Sequence, residues 1–163
     1  MRTAAKPLLH TTIKSPIGEL LLVGDGNALR GLHMQEGRKP AKVAPGWERQ
    51  PDAFTEVRTQ VSEYFAGQRT TFELPLEPIG TLFQLQVWQA LQEIPYGETV
   101  SYAELARRIG RPSAPRAVGA ANGSNPLSII VPCHRLIGTN GSPTGYAGGM
   151  ERKRLLLDLE AVC

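Results

Sequence analysis

Cys133 and His134 place a soft nucleophile directly beside a base, in the middle of the segment 129–138. A thiol attacks as its thiolate, and a free cysteine with a pKa of about 8.5 is only slightly ionised near neutral pH. A neighbouring base or positive charge is therefore needed for reactivity. His134 and Arg135 are candidates for these two roles. The segment predicts a nucleophilic cysteine.

A purely structural role for Cys133 is the alternative, because free cysteines are often small buried apolar residues. The apolar run at 129–131 favours that interpretation, whereas a core position rarely needs a rigid proline before it and two polar side chains after it. The second cysteine, Cys163, is the last residue. Two such cysteines predict neither a disulfide framework nor a metal-ligand pair, which is typical of a reducing compartment.

Four linked motifs in this chain resemble, in order and spacing, those of the O6-alkylguanine-DNA alkyltransferases. They are RAVGAANG with NP at 116–126, PCHR at 132–135, GYAGG at 145–149, and LLL at 155–157 followed by Glu160. The resemblance is dense from about residue 83 to residue 160 and weaker before it. It covers roughly half of the chain with high specificity.

The resemblance implies DNA repair by direct reversal of damage. A methylated-DNA–protein-cysteine S-methyltransferase of this family flips the damaged nucleotide out of duplex DNA and moves the alkyl group from O6 of guanine to its own cysteine. O4-alkylthymine is a second candidate substrate. Because the S-alkyl cysteine product is a thioether without a good leaving group, each molecule is expected to act once, and no cofactor is expected.

The same resemblance assigns four catalytic residues. Cys133 is the alkyl acceptor, and His134 takes the thiol proton through a bridging water, since adjacent side chains diverge. Glu160 orients His134, and Asn125 helps to hold the backbone of the site. Without the family, Glu160 is interpreted as a surface acid and Asn125 as a turn residue.

The resemblance also assigns residues to DNA and to the flipped base. Tyr102 presses on the target phosphate and donates a proton to the departing base, and Arg116 fills the vacated position in the base stack. The carbonyl groups of Cys133 and Leu136 read the base edge. A half-buried core tyrosine and an ordinary phosphate contact are the alternatives for Tyr102 and Arg116.

The loop that closes over the base is expected at Tyr146 and the backbone of Ala147. Some relatives have serine at the second position, and a backbone N–H is unaffected by that difference. Near the C-terminus, Arg152, Lys153 and Arg154 are interpreted either as phosphate contacts or as residues that solubilise the last helix.

Two predicted helices separated by a turn must carry the DNA-binding residues. Ser101 starts a helix that runs to Ile109, a break follows at 110–112, and Ser113 is the expected cap of the next helix. That second helix contains the small residues Ala114, Ala117, Gly119, Ala120, Ala121 and Gly123. The pattern predicts a helix-turn-helix with Ala117 and Gly119 close to DNA, although tight helix packing is the alternative.

The first half reads as a sheet with one helix. Apolar runs at 8–13, 18–23 and 28–34, separated by turn formers, predict an antiparallel meander. A loop is expected at 38–51, after which Asp52 caps a helix that runs to Ala66 and ends at Gly67. Residues 74–80 form the expected linker, and Phe83, Val87, Trp88 and Leu91 then recur at helical spacing.

The predicted fold class is α+β with two domains. Residues 1–79 form a small N-terminal α/β scaffold, which the resemblance implies is ribonuclease H-like. Residues 80–163 form a mostly helical, winged helix-turn-helix domain that binds DNA and accepts the alkyl group, with the wing at 138–143.

Composition and charge limit the function classes further. The longest apolar stretches are too short to cross a bilayer and the N-terminus lacks a signal core, so we expect a cytoplasmic monomer with no membrane partner. Three histidines and no N-terminal cysteine predict no metal site. Residues 96–154 hold eight Lys or Arg and three Asp or Glu, whereas residues 1–95 hold ten of each. This excess indicates a polyanionic partner such as double-stranded DNA or a solvated basic face.

Three other functions fit parts of the sequence. A non-catalytic lesion-binding relative lacks the acceptor cysteine, which is present here as Cys133. A winged-helix regulator of an alkylation response requires a further metal-dependent cysteine domain. A cysteine hydrolase with a Cys133–His134–Glu160 triad would turn over repeatedly and need an oxyanion hole, so a burst without turnover would exclude it.

Overall fold

The computed structural model describes residues 7–36, 40–138 and 149–161. A small sheet and one helix come from the first half, and four helices come from the second half. The α+β class is therefore confirmed. Within the described ranges, no helix combines the length and apolar character that crossing a bilayer requires.

The sheet has the strand order β3-β2-β1-β4, with β1 at Leu9–Ile13, β2 at Leu20–Gly24, β3 at Leu29–Met34 and β4 at Glu48–Arg49. The first three strands form the predicted antiparallel meander. All five residues of β2 are buried, which explains its continuous apolar run. The prediction of a loop over 38–51 was wrong at β4, which pairs parallel to β1 through two exposed polar residues without an alternating pattern.

The helix α1 spans Thr55–Phe65. Asp52 does not cap it, because Pro51 begins a separate 3-10 turn, Pro51–Phe54, and Asp52 lies inside that turn. The predicted end of the helix is confirmed, since Gly67 follows it with φ +75°. Val57, Val61 and Tyr64 are the buried apolar side chains of α1.

Two helices of the second half begin with side-chain caps. In α2, Leu82–Gln92, the Thr81 hydroxyl accepts from the backbone of Gln84, and the Gln84 side chain accepts from the backbone of Thr81. In α3, Tyr102–Arg108, the Ser101 hydroxyl accepts from the backbone of Glu104. These bonds satisfy backbone donors that would otherwise be unpaired at the helix starts.

The helix α4 spans Pro115–Gly123. Ser113 is not its cap, because Pro115 occupies the first turn and Ala114 before it is displaced from helical geometry. The buried residues of α4 are Val118, Ala121 and Asn122. Of the predicted small residues, Ala117, Ala120 and Gly123 are exposed, so helix packing explains only part of the small-residue pattern.

The chain then passes through a 3-10 turn at Cys133–Arg135 and ends in α5, Met150–Ala161. Two short strands pair in parallel. β5, Val100–Ser101, directly precedes α3, and β6, Leu136–Ile137, directly follows the 3-10 turn. Their pairing brings the start of α3 next to the chain that leaves the 3-10 turn.

One hydrophobic cluster contains buried residues from both halves, including Leu32 of β3, Val61 of α1, Leu91 of α2 and Leu156 of α5. The outer edge of β3 also binds the second half, since the Leu32 N–H donates to the Pro126 carbonyl at 2.8 Å. The first half thereby supports the segment that leads into Cys133. The division at 79/80 stays a prediction.

Candidate active site

Cys133 begins the 3-10 turn and is buried, with 4% of its surface exposed. The approach to it is strained, because Ile129 is a β-branched residue with φ +75°. Burial of Ile129 and two neighbouring backbone bonds, from Ile130 N–H to Ser128 and from Val131 N–H to Leu127, hold this conformation. Cys133 therefore follows a tightly fixed segment of backbone.

Two asparagines hold this backbone. Asn125 donates through Nδ2 to the Val131 carbonyl at 2.9 Å, and its part in catalysis stays a prediction. Asn122 donates to the Cys133 carbonyl at 3.3 Å and is buried on α4. No motif singles out Asn122, because in the sequence it is one polar residue within a run of small ones.

His134 and Glu160 are in contact, with 2.5 Å between Nε2 and Oε2. An ionised carboxylate can only accept, so Nε2 carries the proton and donates it to Glu160. The other ring nitrogen, Nδ1, is buried and has no hydrogen-bond partner among the described residues. Nδ1 is then the lone pair that can accept a proton, and the pairing predicted for His134 and Glu160 is present.

Arg135 binds the same carboxylate. Its Nε donates to Glu160 Oε1 at 2.7 Å, its Nη2 donates to Oε2 at 3.1 Å, and its Nη1 donates to the Ile94 carbonyl at 2.7 Å. The positive charge of Arg135, a candidate for activating the thiol, is therefore neutralised in a buried, bidentate ion pair with Glu160.

Burial and hydrogen bonding together shift the pKa values of Glu160 and His134. Burial alone would raise the pKa of Glu160, but hydrogen bonds from His134 and Arg135 outweigh it and lower the pKa to about 2. Burial lowers the pKa of His134 below its ordinary value, and the adjacent carboxylate offsets this only in part. At neutral pH the pair is therefore a carboxylate and a neutral imidazole.

Lys153 differs from both interpretations drawn from the sequence. It is completely buried, and its Nζ donates to the Leu136 carbonyl at 2.6 Å. Burial lowers the pKa of Lys153 to about 8, and the opposing electrostatic effect of the nearby Cys133 offsets only part of this shift. Its neighbour Arg152 donates to the Ile17 carbonyl at 3.0 Å, whereas Arg154 is exposed. Lys153 belongs to the surroundings of the cysteine and is not available to phosphates.

Tyr64 is a further residue that the sequence did not identify. Its hydroxyl lies 2.5 Å from Glu160 Oε2, although the two residues are 96 positions apart. In the sequence it was one of several apolar residues on the buried side of a helix, and no local pattern marks its hydroxyl as part of a site.

The predicted DNA-contacting residues lie on α3 and α4. Tyr102 is the first residue of α3, and its ring packs against Gly119, where a Cβ would lie 3.4 Å from the ring. Arg116 and Ala117 are exposed in the first turn of α4. Pairing of Ser101 with Ile137 places the start of α3 beside the chain that follows Cys133.

Comparison with known proteins gives two family matches. The family described as "6-O-methylguanine DNA methyltransferase, DNA binding domain" matches residues 82–162, and the family described as "6-O-methylguanine DNA methyltransferase, ribonuclease-like domain" matches residues 8–78. A methylated-DNA–protein-cysteine methyltransferase of Methanosarcina acetivorans is 48% identical over 156 residues, which are 96% of this chain and 100% of the relative. The chain belongs to the 6-O-methylguanine DNA methyltransferase family.

Another family member is closely similar in structure. The crystal structure of Mycobacterium tuberculosis OGT in complex with DNA superimposes with a TM-score of 0.89 at 52% identity, over 93% of this chain and 92% of that one. A methylated-DNA–protein-cysteine methyltransferase of Mycobacterium tuberculosis strain H37Rv is 53% identical over 152 residues, which are 93% of this chain and 91% of the relative. The family recognised from the four motifs is thus confirmed.

Two predicted site residues of the present chain, Tyr146 and Ala147, lie outside the residues that the structure describes. Most of the wing predicted at 138–143 also lies outside them. Their roles stay predictions. Among the residues that are described, no group of three His, Cys, Asp or Glu side chains is arranged to hold a metal ion.

Proposed function

We propose that this protein repairs DNA by moving the alkyl group of O6-alkylguanine to Cys133 in a single, irreversible event. The observation that carries this proposal is the buried Cys133 beside His134, whose Nε2 binds Glu160 and whose Nδ1 has no hydrogen-bond partner among the described residues. O4-alkylthymine is the second candidate substrate.

Activation of the thiol begins at His134 Nδ1. Because Cys133 and His134 are adjacent, their side chains diverge, and a water bridging Sγ and Nδ1 carries the proton between them. The imidazolium that forms is stabilised by Glu160, whose lowered pKa keeps it ionised at neutral pH. The buried ammonium of Lys153 adds a positive charge that favours the thiolate.

In the transfer step, Cys133 Sγ attacks the alkyl carbon. The sulfur–carbon bond forms as the carbon–O6 bond breaks, and the electron pair leaves with guanine, which takes up a proton from Tyr102. The resulting thioether contains no group that water can displace. The protein is consumed in proportion to the lesions repaired.

The buried position of Cys133 requires the target nucleotide to leave the stack, at a cost of a few kcal/mol. The exposed small residues Ala117, Ala120 and Gly123 allow α4 to approach a DNA groove closely. Arg116, exposed at the start of α4, fills the vacated stack position and offsets part of the cost of flipping.

The flipped base is bound by backbone groups. The Cys133 carbonyl accepts hydrogen bonds from the Leu136 N–H and from Asn122, and the Leu136 carbonyl accepts one from Lys153, so both groups are held in place beside the proposed base site. Tyr146 and the Ala147 N–H close over the base from the following loop. Double-stranded DNA is therefore the partner, and no cofactor takes part in this scheme.

The proposed setting is the cytoplasm, where a reducing environment preserves the free thiol of Cys133. We infer a monomer with a scaffold unit at 1–79 and a DNA-binding, alkyl-accepting unit at 80–163.

The test is a titration of duplex DNA containing O6-methylguanine against the protein and its Cys133→Ser variant. We expect one lesion removed per wild-type molecule, and no removal by the variant, which should still bind DNA. Removal of several lesions per molecule would indicate a hydrolase or another multiple-turnover enzyme. Repair by Cys133→Ser would exclude Cys133 as the acceptor.

A further inference from the structure

Tyr64 connects the first half of the chain to the carboxylate of the candidate site. It lies on α1, its side chain is fully buried, and its hydroxyl is 2.5 Å from Glu160 Oε2 on α5. Glu160 is itself only 1% exposed. A hydroxyl this close to an ionised carboxylate donates a charge-assisted hydrogen bond.

The donors around Glu160 come from three parts of the chain and bind both oxygens. Oε1 accepts from Arg135 Nε at 2.7 Å and faces the Gly97 N–H at 3.4 Å. Oε2 accepts from His134, Arg135 Nη2 and Tyr64. His134 and Arg135 share one short turn, so they move together, whereas Tyr64 binds from a separate element.

Packing alone does not explain the tyrosine. Its ring lies among Phe65, Phe72 and Tyr96, with centroid distances of 5.3, 5.4 and 6.1 Å. A phenylalanine would fill the same aromatic cluster. The hydroxyl is the part that this cluster does not need, and it is directed at the oxygen that accepts from His134.

We propose that Tyr64 is a positioning residue for alkyl transfer: its hydroxyl fixes the Glu160 carboxylate in the orientation that receives the His134 Nε2–H and keeps Nδ1 open toward the thiol. This inference rests on the proposed function of the site. It gives the first half of the chain a part in the chemistry, in addition to supporting the backbone at Pro126.

Loss of the hydroxyl changes both the orientation and the charge of Glu160. The carboxylate loses its one side-chain donor from outside the 3-10 turn and, held by Arg135 and His134 alone, can shift relative to His134 Nε2, which slows proton removal from Cys133. The charge that Tyr64 shared is returned to the carboxylate, so His134 holds its proton to a higher pH. Among the described residues, the other charged or titratable groups that act on Tyr64 and His134 are Arg135, Tyr96 and Lys153.

The experiment compares the full-length wild type, Tyr64→Phe and Gln60→Leu in single-turnover repair of O6-methylguanine in duplex DNA across a pH series. Gln60 is a matched control because it lies one turn earlier on α1, is also buried, and makes hydrogen bonds with Glu73, away from the site. Thermal unfolding of all three proteins is measured alongside.

For Tyr64→Phe we expect transfer slower by at least about tenfold, with the pH of half-maximal rate moved upward. For Gln60→Leu we expect lower thermal stability with the rate and the pH profile of wild type. The inference is overturned if Tyr64→Phe stays within twofold of wild type, or if it is slower with an unchanged pH midpoint. A wild type that repairs nothing would instead overturn the proposed function.

Discussion

Glu160 concentrates the electrostatics of this molecule in one buried carboxylate with three side-chain donors. Breaking such a group on one side leaves the opposite charge buried without compensation, which is more costly than the net contribution of the intact pair. The partner most affected is Arg135, whose guanidinium is 7% exposed. Substitution of Glu160 is therefore expected to affect folding as well as the proposed chemistry.

For Glu160→Gln we expect the free energy of unfolding at pH 7 to fall by about 3 kcal/mol, since the variant leaves Arg135 buried beside a neutral amide. Alkyl transfer should also be lost or strongly slowed. Urea unfolding followed by circular dichroism measures the stability. A variant as stable as wild type would show that the ion pair contributes nothing to folding.

The stability of the wild type should fall as the pH is lowered from about 7 to about 2. The pKa of His134 lies below its ordinary 6.5, and the pKa of Glu160 lies at about 2, below its ordinary 4.5. In both cases the unfolded chain binds more protons, so acid favours unfolding. Urea midpoints across this range check the trend, which should be weaker in Glu160→Gln. A pH-independent midpoint would contradict it.

A residue of the candidate site could be predicted from the sequence only where it lies within a recognisable motif. Cys133 and His134 lie within one motif, and the family resemblance supplied Glu160. Tyr64 and Lys153 could not be predicted, because their roles depend on contacts made only in the folded chain. A hydroxyl on an apolar helix face and a lysine in a basic run look the same in sequence whether they are exposed or buried.

At the level of elements, α3 and α4 carry the residues proposed to contact DNA. Ser101 could be recognised from the sequence as a helix start, whereas the sequence analysis did not single out Thr81, which caps α2. Asp52 and Ser113 have suitable side chains, but Pro51 and Pro115 fix where the following turns begin. The backbone limits of proline therefore outweighed the capping preference of the nearby polar residue.

For Arg116→Ala we expect repair of duplex DNA to fall about tenfold more than reaction with the free base O6-methylguanine, because only the duplex requires a vacated stack to be filled. Single-turnover rates on both substrates make the comparison. Arg58→Ala, an exposed arginine of α1, removes the same charge outside α3 and α4 and should behave like wild type. Equal losses on both substrates for Arg116→Ala would contradict the assignment.

Across the whole molecule, the basic excess is smaller at the surface than in the sequence. Residues 96–154 hold eight Lys or Arg, but Arg135 and Lys153 are buried, which leaves six. Two of the six, Arg107 and Arg108, pair with Glu104. The charge count could be made from the sequence, whereas the buried share depended on the fold.

DNA binding should weaken with salt through counterion release, with a slope of log affinity against log salt no steeper than about −5, since about six side chains are available. Fluorescence anisotropy with a labelled duplex at several salt concentrations measures the slope. A flat response would make the basic surface incidental to binding, and a slope much steeper than this would require basic residues outside 96–154.

The fold and the site meet at the scale of the whole chain. The sheet edge at β3 holds the segment before Cys133, and α1 supplies Tyr64 to the carboxylate on α5. The sequence predicted the strands and helices that do this, but offered no reason why the first half is needed. That reason lies in contacts between residues far apart in the chain.

The most direct test of the account is mass spectrometry of the protein after mixing with excess duplex DNA containing O6-methylguanine. We predict that the intact protein gains one methyl group in place of one hydrogen, that the change maps to the peptide containing Cys133, and that longer incubation adds nothing further. An unchanged mass with DNA still bound, or a methyl group on another residue, would contradict the account.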